Sequence, residues 1–273
     1  MVGCWPVVRV SKSIKKNMID NNKKGCIVII ARLGSIRLRN KHLILVNQKP
    51  IISFLIERIK NEFRKEIKSG DLELFIVTGK KINNIPLGKI GLKHNIKTFF
   101  GNDSNIPKRL SEFLKKNHFN FLISIDGDDI LCAPESMRSI FNDLKKGSNY
   151  VKTINYPFGM NSTGFERNFL LNNVELNNNE TLETGWGWIF NNSECKEIGE
   201  KKILDQRLRF TLDYKDDLTF FKRIIESKLD IIKSSSEQII EYVLFHKIFL
   251  KNMKLNDEYW ENYNAQKLLE IKE

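Results

Sequence analysis

The chain has 273 residues, of which 41% are hydrophobic and 29% charged, the balance of a globular protein with room for one large domain. It contains no run of 18 apolar residues, and its start lacks the basic region and cleavage site of a secretory signal, so we expect neither a membrane span nor export. Four cysteines without a CxxC pair and four scattered histidines favour free thiols in a reducing cytoplasm and predict no zinc site.

The net charge of +12 raises the question of nucleic-acid binding, but residues 1–24 alone carry +5 of it. The remaining basic residues form no dense patch interleaved with aromatics, so we expect a solvated surface, or a basic face for an anionic substrate, and no nucleic-acid partner. Residues 1–24 are predicted to be a basic, poorly ordered extension. We expect either a natural start at Met18 or a loose extension over residues 1–17.

Apolar runs alternate with amphipathic segments through the first half of the chain. The predicted strands and helices are, in order, Cys26–Ala31, helix Ile51–Lys68, Glu73–Val77, helix Leu87–His94, Lys97–Phe100, helix Pro107–Asn117, Phe121–Ile125, helix Pro134–Lys146 and Tyr150–Thr153. Because the first run is apolar throughout, it fits a strand buried on both faces. This alternation predicts an α/β domain with a mostly parallel sheet and helices on both faces.

Residues 155–207 break this rhythm with a composition rich in Asn, Gly, Thr and Trp, and we interpret them as an insertion, a hairpin arm outside the sheet. A strand at Leu208–Leu212 and further helices follow. One domain is therefore predicted over residues 25–230, with a helical extension, residues 231–273, packed on it. If the segment around Trp186 and Trp188 is a strand, both indoles point the same way, either onto the domain's own sheet or across a two-fold axis in a homodimer.

The loop at residues 32–41 directly follows the first predicted strand and contains Arg32, Arg37 and Lys41 around Gly34. Ligands of open α/β sheets bind beyond the carboxyl ends of the strands, and a glycine there lets backbone N–H groups approach phosphates. The loop is therefore a candidate triphosphate site, and otherwise a basic surface loop. Its spacing is neither GxxxxGK[ST] nor GxGxxG.

Acidic residues follow two other predicted strands. The segment Asp126–Asp129 ends one strand, and Asp213 and Asp216 follow the late strand. Carboxylates beside phosphates suit magnesium, so Asp128 and Asp213 are predicted to converge to within about 7 Å of each other. The alternatives are an acidic turn for the first group and a helix cap for the second.

The order and spacing of these features resemble the cytidylyltransferases of the spore-coat polysaccharide biosynthesis protein F family, relatives of CMP-Kdo and CMP-sialic acid synthetases. The matching positions are Ala31, Arg32, Gly34, Ser35, Arg37, Leu38, Lys41, Lys49, Pro50, Val77, Thr78, Gly101, Arg109, Gly127, Asp128, Pro134, Glu135, Leu212, Asp213, Asp217 and Leu218. The resemblance covers roughly Cys26–Glu226 and implies a glycosyltransferase-A-like, Rossmann-like fold whose inserted arm binds the sugar and builds a dimer.

The resemblance also implies an activity: transfer of CMP from CTP to an acidic sugar with release of pyrophosphate, for surface polysaccharide synthesis. The implied nucleotide-binding residues are Ala31, Arg32, Gly34, Ser35, Arg37, Lys41, Thr78 and Arg109, the last two near the base. Asp128 and Asp213 would hold a catalytic Mg²⁺, with Arg32 and Lys41 as the other catalytic residues. Gly159, Met160, Asn161 and Glu183 would lie near the sugar.

Two other functions fit parts of the sequence. A glycosyltransferase with a nucleotide-sugar donor would use the same fold and an Asp-x-Asp such as Asp126–Asp128, but a diphosphate donor does not need the basic 32–41 loop. A non-catalytic basic protein that binds nucleic acid would not need the aspartates. We therefore expect a magnesium-dependent cytidylyltransferase that acts in the cytoplasm as a homodimer, without a membrane or nucleic-acid partner.

Overall fold

The computed structural model describes residues 23–190, 192–199 and 204–272, so most of the predicted N-terminal extension lies outside the described residues. The strands are β1 (Gly25–Ile30), β2 (Leu45–Val46), β3 (Lys49–Pro50), β4 (Leu72–Thr78), β5 (Lys97–Phe100), β6 (Phe121–Asp126), β7 (Tyr150–Ile154), β8 (Thr163–Glu166) and β9 (Cys195–Gly199). The helices are α1 (Ile52–Glu62), α2 (Arg64–Ser69), α3 (Lys81–Lys93), α4 (Ile106–Lys116), α5 (Pro134–Lys145), α6 (Arg167–Glu175), α7 (Lys215–Ile225), α8 (Ser236–Phe245) and α9 (Leu255–Lys272).

Seven strands form one sheet in the order β5-β4-β1-β6-β8-β7-β9, and β8 alone among them runs antiparallel to its neighbours. Alternate residues of β1 enter different cores: Ile27 and Ile29 face α1 and α5, whereas Cys26 and Val28 face α4 and α6. Because helices cover both faces, every residue of β1 is buried. The predicted mostly parallel α/β sheet is confirmed.

A third apolar cluster joins α7, α8 and the segment Leu208–Leu212 at the edge of the domain. This segment is buried and extended, but the prediction of a strand there is wrong. The Phe210 N–H donates to the Phe158 carbonyl and the Leu212 N–H to the Asp128 carbonyl. The N–H groups of this segment thus donate to two separate loops and not to one neighbouring strand. Phe158 and Arg209 form only an isolated β-bridge.

The inserted region differs from the predicted hairpin arm, because β8 and β9 join the main sheet and α6 covers one of its faces. Trp186–Ile189 is a short 3-10 helix and not a strand, so the argument that both indoles share a strand face is wrong. Trp186 packs against Phe165 and Phe190 in the domain's own core. Trp188 is 38% exposed. The homodimer stays a prediction.

Among the described residues, no helix combines the length and the apolar composition needed to cross a bilayer.

Candidate active site

The candidate site lies at the carboxyl edge of the sheet, where β1, β4 and β6 end side by side. Ile30 pairs with Val77 on one side and with Asp126 on the other. From β1 the chain adds β4 and β5 on one side and then returns to add β6 on the other, so the strand order reverses here, which is where open α/β sheets bind ligands. The Gly127 N–H donates to the Ile30 carbonyl at 2.7 Å, and a Cβ at Gly127 would lie 2.8 Å from that of Ala31. The two loops can approach this closely because position 127 is glycine.

Lys41 joins the two predicted acidic groups at this edge. Its Nζ lies 2.5 Å from Asp128 Oδ2 and 3.0 Å from Asp213 Oδ1. The sum of these distances, 5.5 Å, is the largest possible separation of the two oxygens. The structure therefore brings Asp128 and Asp213 together as the sequence predicted, with a buried ammonium between them. The Leu212 N–H, bonded to the Asp128 carbonyl at 3.0 Å, holds the two segments side by side.

Asp213 meets two further cations. Arg37 donates to Oδ1 at 2.7 Å, and the fully buried Arg209 donates to Oδ2 at 2.8 Å. Arg209 also donates to Asp217 at 3.0 Å. Asp213 thus lies among three basic side chains, which satisfies the requirement that a buried charge be paired.

Asp217 is the third residue of helix α7 and caps its start. Its Oδ2 accepts the backbone N–H groups of Asp213 and Tyr214, both at 3.0 Å. The capping role considered for Asp213 and Asp216 thus belongs to Asp217, which leaves the Asp213 carboxylate to face Lys41.

The charges of this cluster are set by their neighbours. Burial alone would raise the pKa of Asp128, but Lys41 and His42, whose Nε2 lies 2.7 Å from Oδ1, hold that pKa well below its usual range. Burial alone would lower the pKa of Lys41, but Asp128 and Asp213 raise it. Asp126 lies at the surface of the cleft, yet the surrounding protein and the Asp128 carboxylate raise the pKa of Asp126 to about 7. Asp128 and Lys41 are therefore charged at neutral pH.

The 32–41 loop forms the exposed side of the site. The side chains of Arg32 and Arg37 are 45% and 39% exposed, and Arg32 forms an ion pair with Glu183. Gly34 is exposed, and Ser35 Oγ accepts the N–H of Leu38 at 3.4 Å. The loop thus presents two arginines to solvent next to the buried Lys41, an arrangement suited to a polyphosphate.

Thr78 and Arg109, predicted near the base, are both buried. Arg109 donates to the carbonyls of Asn102 and Asp103 at 2.6 and 2.9 Å, so it shapes the loop that follows β5. Its guanidinium also lies 3.8 Å from Glu183. The contact of either residue with a base remains a prediction.

The predicted sugar-binding residues divide into two groups. Met160 is fully buried in the core beside α7, so its side chain lies away from the surface of the site, and its place near the sugar stays a prediction. Gly159 has φ +87°, and a Cβ there would clash with the Phe210 backbone, whereas Asn161 donates to the carbonyls of Tyr156 and Pro157, so both shape the loop. Among these four residues, Glu183 alone forms an ion pair with the 32–41 loop, at Arg32. Sugar contacts of Gly159, Asn161 and Glu183 remain predictions.

Several residues that build the site were not predicted from the sequence. His42 contacts Asp128, and Asn84 Oδ1 accepts the Leu33 N–H at 3.0 Å, which fixes the start of the 32–41 loop. The pairing of Arg209 could have been predicted, because a charged residue inside an apolar run must be paired when the run is buried. His42 and Asn84 have no such signal.

A family model described as cytidylyltransferase matches residues 26–254. The chain belongs to the cytidylyltransferase family. It is therefore a nucleotidyltransferase that uses CTP, and the predicted family is confirmed. The matched segment contains Arg32, Lys41, Asp128 and Asp213 and ends just before α9.

Individual relatives agree with this assignment. The spore coat polysaccharide biosynthesis protein SpsF of Bacillus subtilis is 21% identical over 223 residues, 78% of this chain and 91% of the relative. The structure of a cytidylyltransferase from Leptospira borgpetersenii has a TM-score of 0.73 at 18% identity and covers 84% of this chain and 98% of its own. CMP:2-keto-3-deoxy-manno-octonic acid synthetase in complex with CTP has a TM-score of 0.57 at 17% identity, with 76% and 100% covered. At these identities, the two structures support the fold alone.

Proposed function

We propose that this cytidylyltransferase joins CMP from CTP to a hydroxyl group of an acidic sugar, in the cytoplasm, for surface polysaccharide synthesis. The observation that carries the proposal is the meeting of Asp128 and Asp213 on Lys41, beneath the exposed arginines of the 32–41 loop. The names of two relatives, a spore coat polysaccharide biosynthesis protein and a synthetase that couples CMP to a sugar acid, support the class of acceptor.

In the proposed reaction, the acceptor hydroxyl attacks the α-phosphorus of CTP, and the bond to the β-phosphate breaks. Pyrophosphate leaves with the bonding electrons, and the hydroxyl proton passes to solvent. The protein aligns the two reactants and neutralises charge, which is most of what phosphoryl-type transfer requires. Arg32, Arg37 and Lys41 would hold the phosphates that leave as pyrophosphate.

The donor set around Lys41 fits Mg²⁺. This ion takes one or two carboxylates together with phosphate oxygens and water, and Asp128 and Asp213 offer two carboxylates no more than 5.5 Å apart. Within the described ranges, no cluster of three or more His, Cys, Asp or Glu side chains suits a metal, so the phosphates would complete the set. When bound, Mg²⁺ would neutralise negative charge on the α-phosphate.

The two alternative functions lose support once the family is known. A glycosyltransferase with a nucleotide-sugar donor has the same kind of sheet, but the family match is to cytidylyltransferases. A non-catalytic nucleic-acid-binding protein gives no reason for Asp128 and Asp213 to converge under a basic loop.

Pyrophosphate release tests the proposal. The purified chain is incubated with Mg²⁺ and each of CTP, UTP, GTP and ATP, against a panel of acidic sugars and their neutral counterparts. We expect release with CTP and an acidic sugar, and the CMP-sugar is identified by mass spectrometry. Asp213→Asn should lose this activity, whereas Asp216→Asn, a neighbouring exposed aspartate, should keep it. Release only with a neutral acceptor, or equally with UTP, contradicts the proposal.

A further inference from the structure

Helix α9 begins at Leu255, directly after the segment matched by the family model, yet it lies against the active site. The ring of Tyr259 is centred 5.3 Å from the guanidinium carbon of Arg37 and 4.6 Å from that of Arg209. Both arginines donate to Asp213. A residue outside the family match therefore contacts two cations that hold a central carboxylate of the site.

The geometry around these arginines restricts their movement. Tyr214 lies 5.5 Å from the Arg37 guanidinium carbon and 5.7 Å from that of Arg209, so both cations are shared between the rings of Tyr214 and Tyr259. An aromatic face attracts a guanidinium and favours stacking, which limits the orientations of a side chain that is otherwise long and flexible. Arg37 is the more exposed of the two, so it depends more on this contact.

A second set of contacts fixes α9 on the domain. The Glu270 carboxylate is buried, and its Oε2 accepts the N–H groups of Glu183 and Thr184 at 2.9 and 2.8 Å. Asn179 donates to the Glu270 carbonyl at 2.6 Å. Glu270 lies eleven positions after Tyr259, a rise of about 16.5 Å along the helix. The helix is thus anchored near both ends, and the position of the Tyr259 ring is well defined.

We propose that Tyr259 is a positioning residue for CTP. The Tyr259 ring fixes Arg37 and Arg209 in the orientation in which Arg37 contacts the triphosphate. The inference rests on the proposed function, since it takes Arg37 as a phosphate ligand. It also makes α9 a necessary part of the nucleotide site, although this helix lies outside the family match.

The test measures CTP affinity by isothermal titration in the full-length chain, which needs no acceptor. Tyr259→Met fills the space without an aromatic face and should raise the Kd for CTP about 2- to 30-fold, the range expected for a cation–π contact. Tyr259→Phe keeps the ring and should retain nearly all the affinity. Tyr242→Met is the matched control, because Tyr242 is a partly buried tyrosine of α8 whose ring contacts His246.

A double-mutant cycle separates positioning from packing. In an Arg37→Ala background, the effect of Tyr259→Met should largely disappear, because its target is gone. An unchanged Kd in Tyr259→Met, an equal rise in Tyr242→Met, or a full effect without Arg37 would overturn the inference. If Tyr259→Met does not fold, Arg37→Lys carries the test: it keeps the charge but loses the planar group, and wild-type affinity there overturns the inference. A wild-type chain that binds no CTP would overturn the proposed function together with this inference.

Discussion

Replacing Lys41 by alanine removes the cation that joins Asp128 and Asp213. Asp213 keeps Arg37 and Arg209, but Asp128 keeps only His42. Breaking a buried ion pair by removing one partner costs about 3–5 kcal/mol. For a chain of this size, each kcal/mol lowers the melting temperature by about 2–4 °C, so Lys41→Ala should melt roughly 6–20 °C below the wild type.

The same variant offers a test of the metal site that does not depend on activity. Without Lys41, the facing oxygens of Asp128 and Asp213 repel each other, and a divalent cation can relieve this repulsion. Millimolar Mg²⁺ should therefore raise the melting temperature of Lys41→Ala more than that of the wild type.

Differential scanning fluorimetry, with sodium chloride at equal ionic strength as the salt control, measures this difference. Lys49→Ala is the matched variant: Lys49 forms a partly exposed pair with Glu57 at 2.6 Å, so its loss should cost no more than about 1 kcal/mol and respond to Mg²⁺ as the wild type does. Equal Mg²⁺ shifts in the wild type and Lys41→Ala would refute a metal site at these carboxylates.

Four further predictions follow from the contacts described above. Arg32→Ala should raise the KM for CTP about tenfold to 150-fold in the pyrophosphate assay, with little change in melting temperature, because it removes a charge-assisted phosphate contact from an exposed position. Asp213→Asn should lower the melting temperature more than Asp216→Asn, because only Asp213 is buried among cations. The wild type should sediment at twice its chain mass of 32.0 kDa, and a 32.0 kDa species at micromolar concentration contradicts the homodimer. Burial alone would raise the pKa of Glu66, but Arg138 holds it below its ordinary 4.5, so the destabilisation caused by Arg138→Ala at pH 7 should shrink as the pH falls below that value, as followed by urea unfolding.

The sheet and the position of Asp128 could be predicted because each depends on a short local signal. An apolar run such as residues 26–30 must be buried on both faces, and carboxyl ends of parallel strands meet at one edge. Asp128 follows β6 at that edge. Asp213 follows a segment that is not a strand, and the hydrogen bond from the Leu212 N–H to the Asp128 carbonyl brings it next to Asp128. Helix α3 shows where such signals fail: the helix predicted to begin at Leu87 begins at Lys81 and includes Pro86, with a kink at Asn84.

The surroundings of these groups could not be predicted, because they depend on contacts between distant segments. Nothing near Glu270 in the sequence indicates that its carboxylate accepts the N–H groups of Glu183 and Thr184. The burial of Met160 could not be predicted for the same reason: its position in the chain lies near the site, but its side chain packs in the core beside α7.

The three cations around Asp213 differ in their freedom to exchange partners. Arg209 is fully buried and bound to Asp217 as well, so it has no route to a nucleotide and keeps Asp213 Oδ2. Arg37 and Lys41 both contact Oδ1, and Arg37 is partly exposed. A triphosphate that attracts Lys41 would therefore free Asp128 Oδ2 and the facing side of Asp213 Oδ1, while Arg37 stays against the Tyr259 ring and Arg209 still neutralises part of the charge. The oxygens released by nucleotide binding are thus the pair that the proposed Mg²⁺ requires, which would make metal binding depend on CTP.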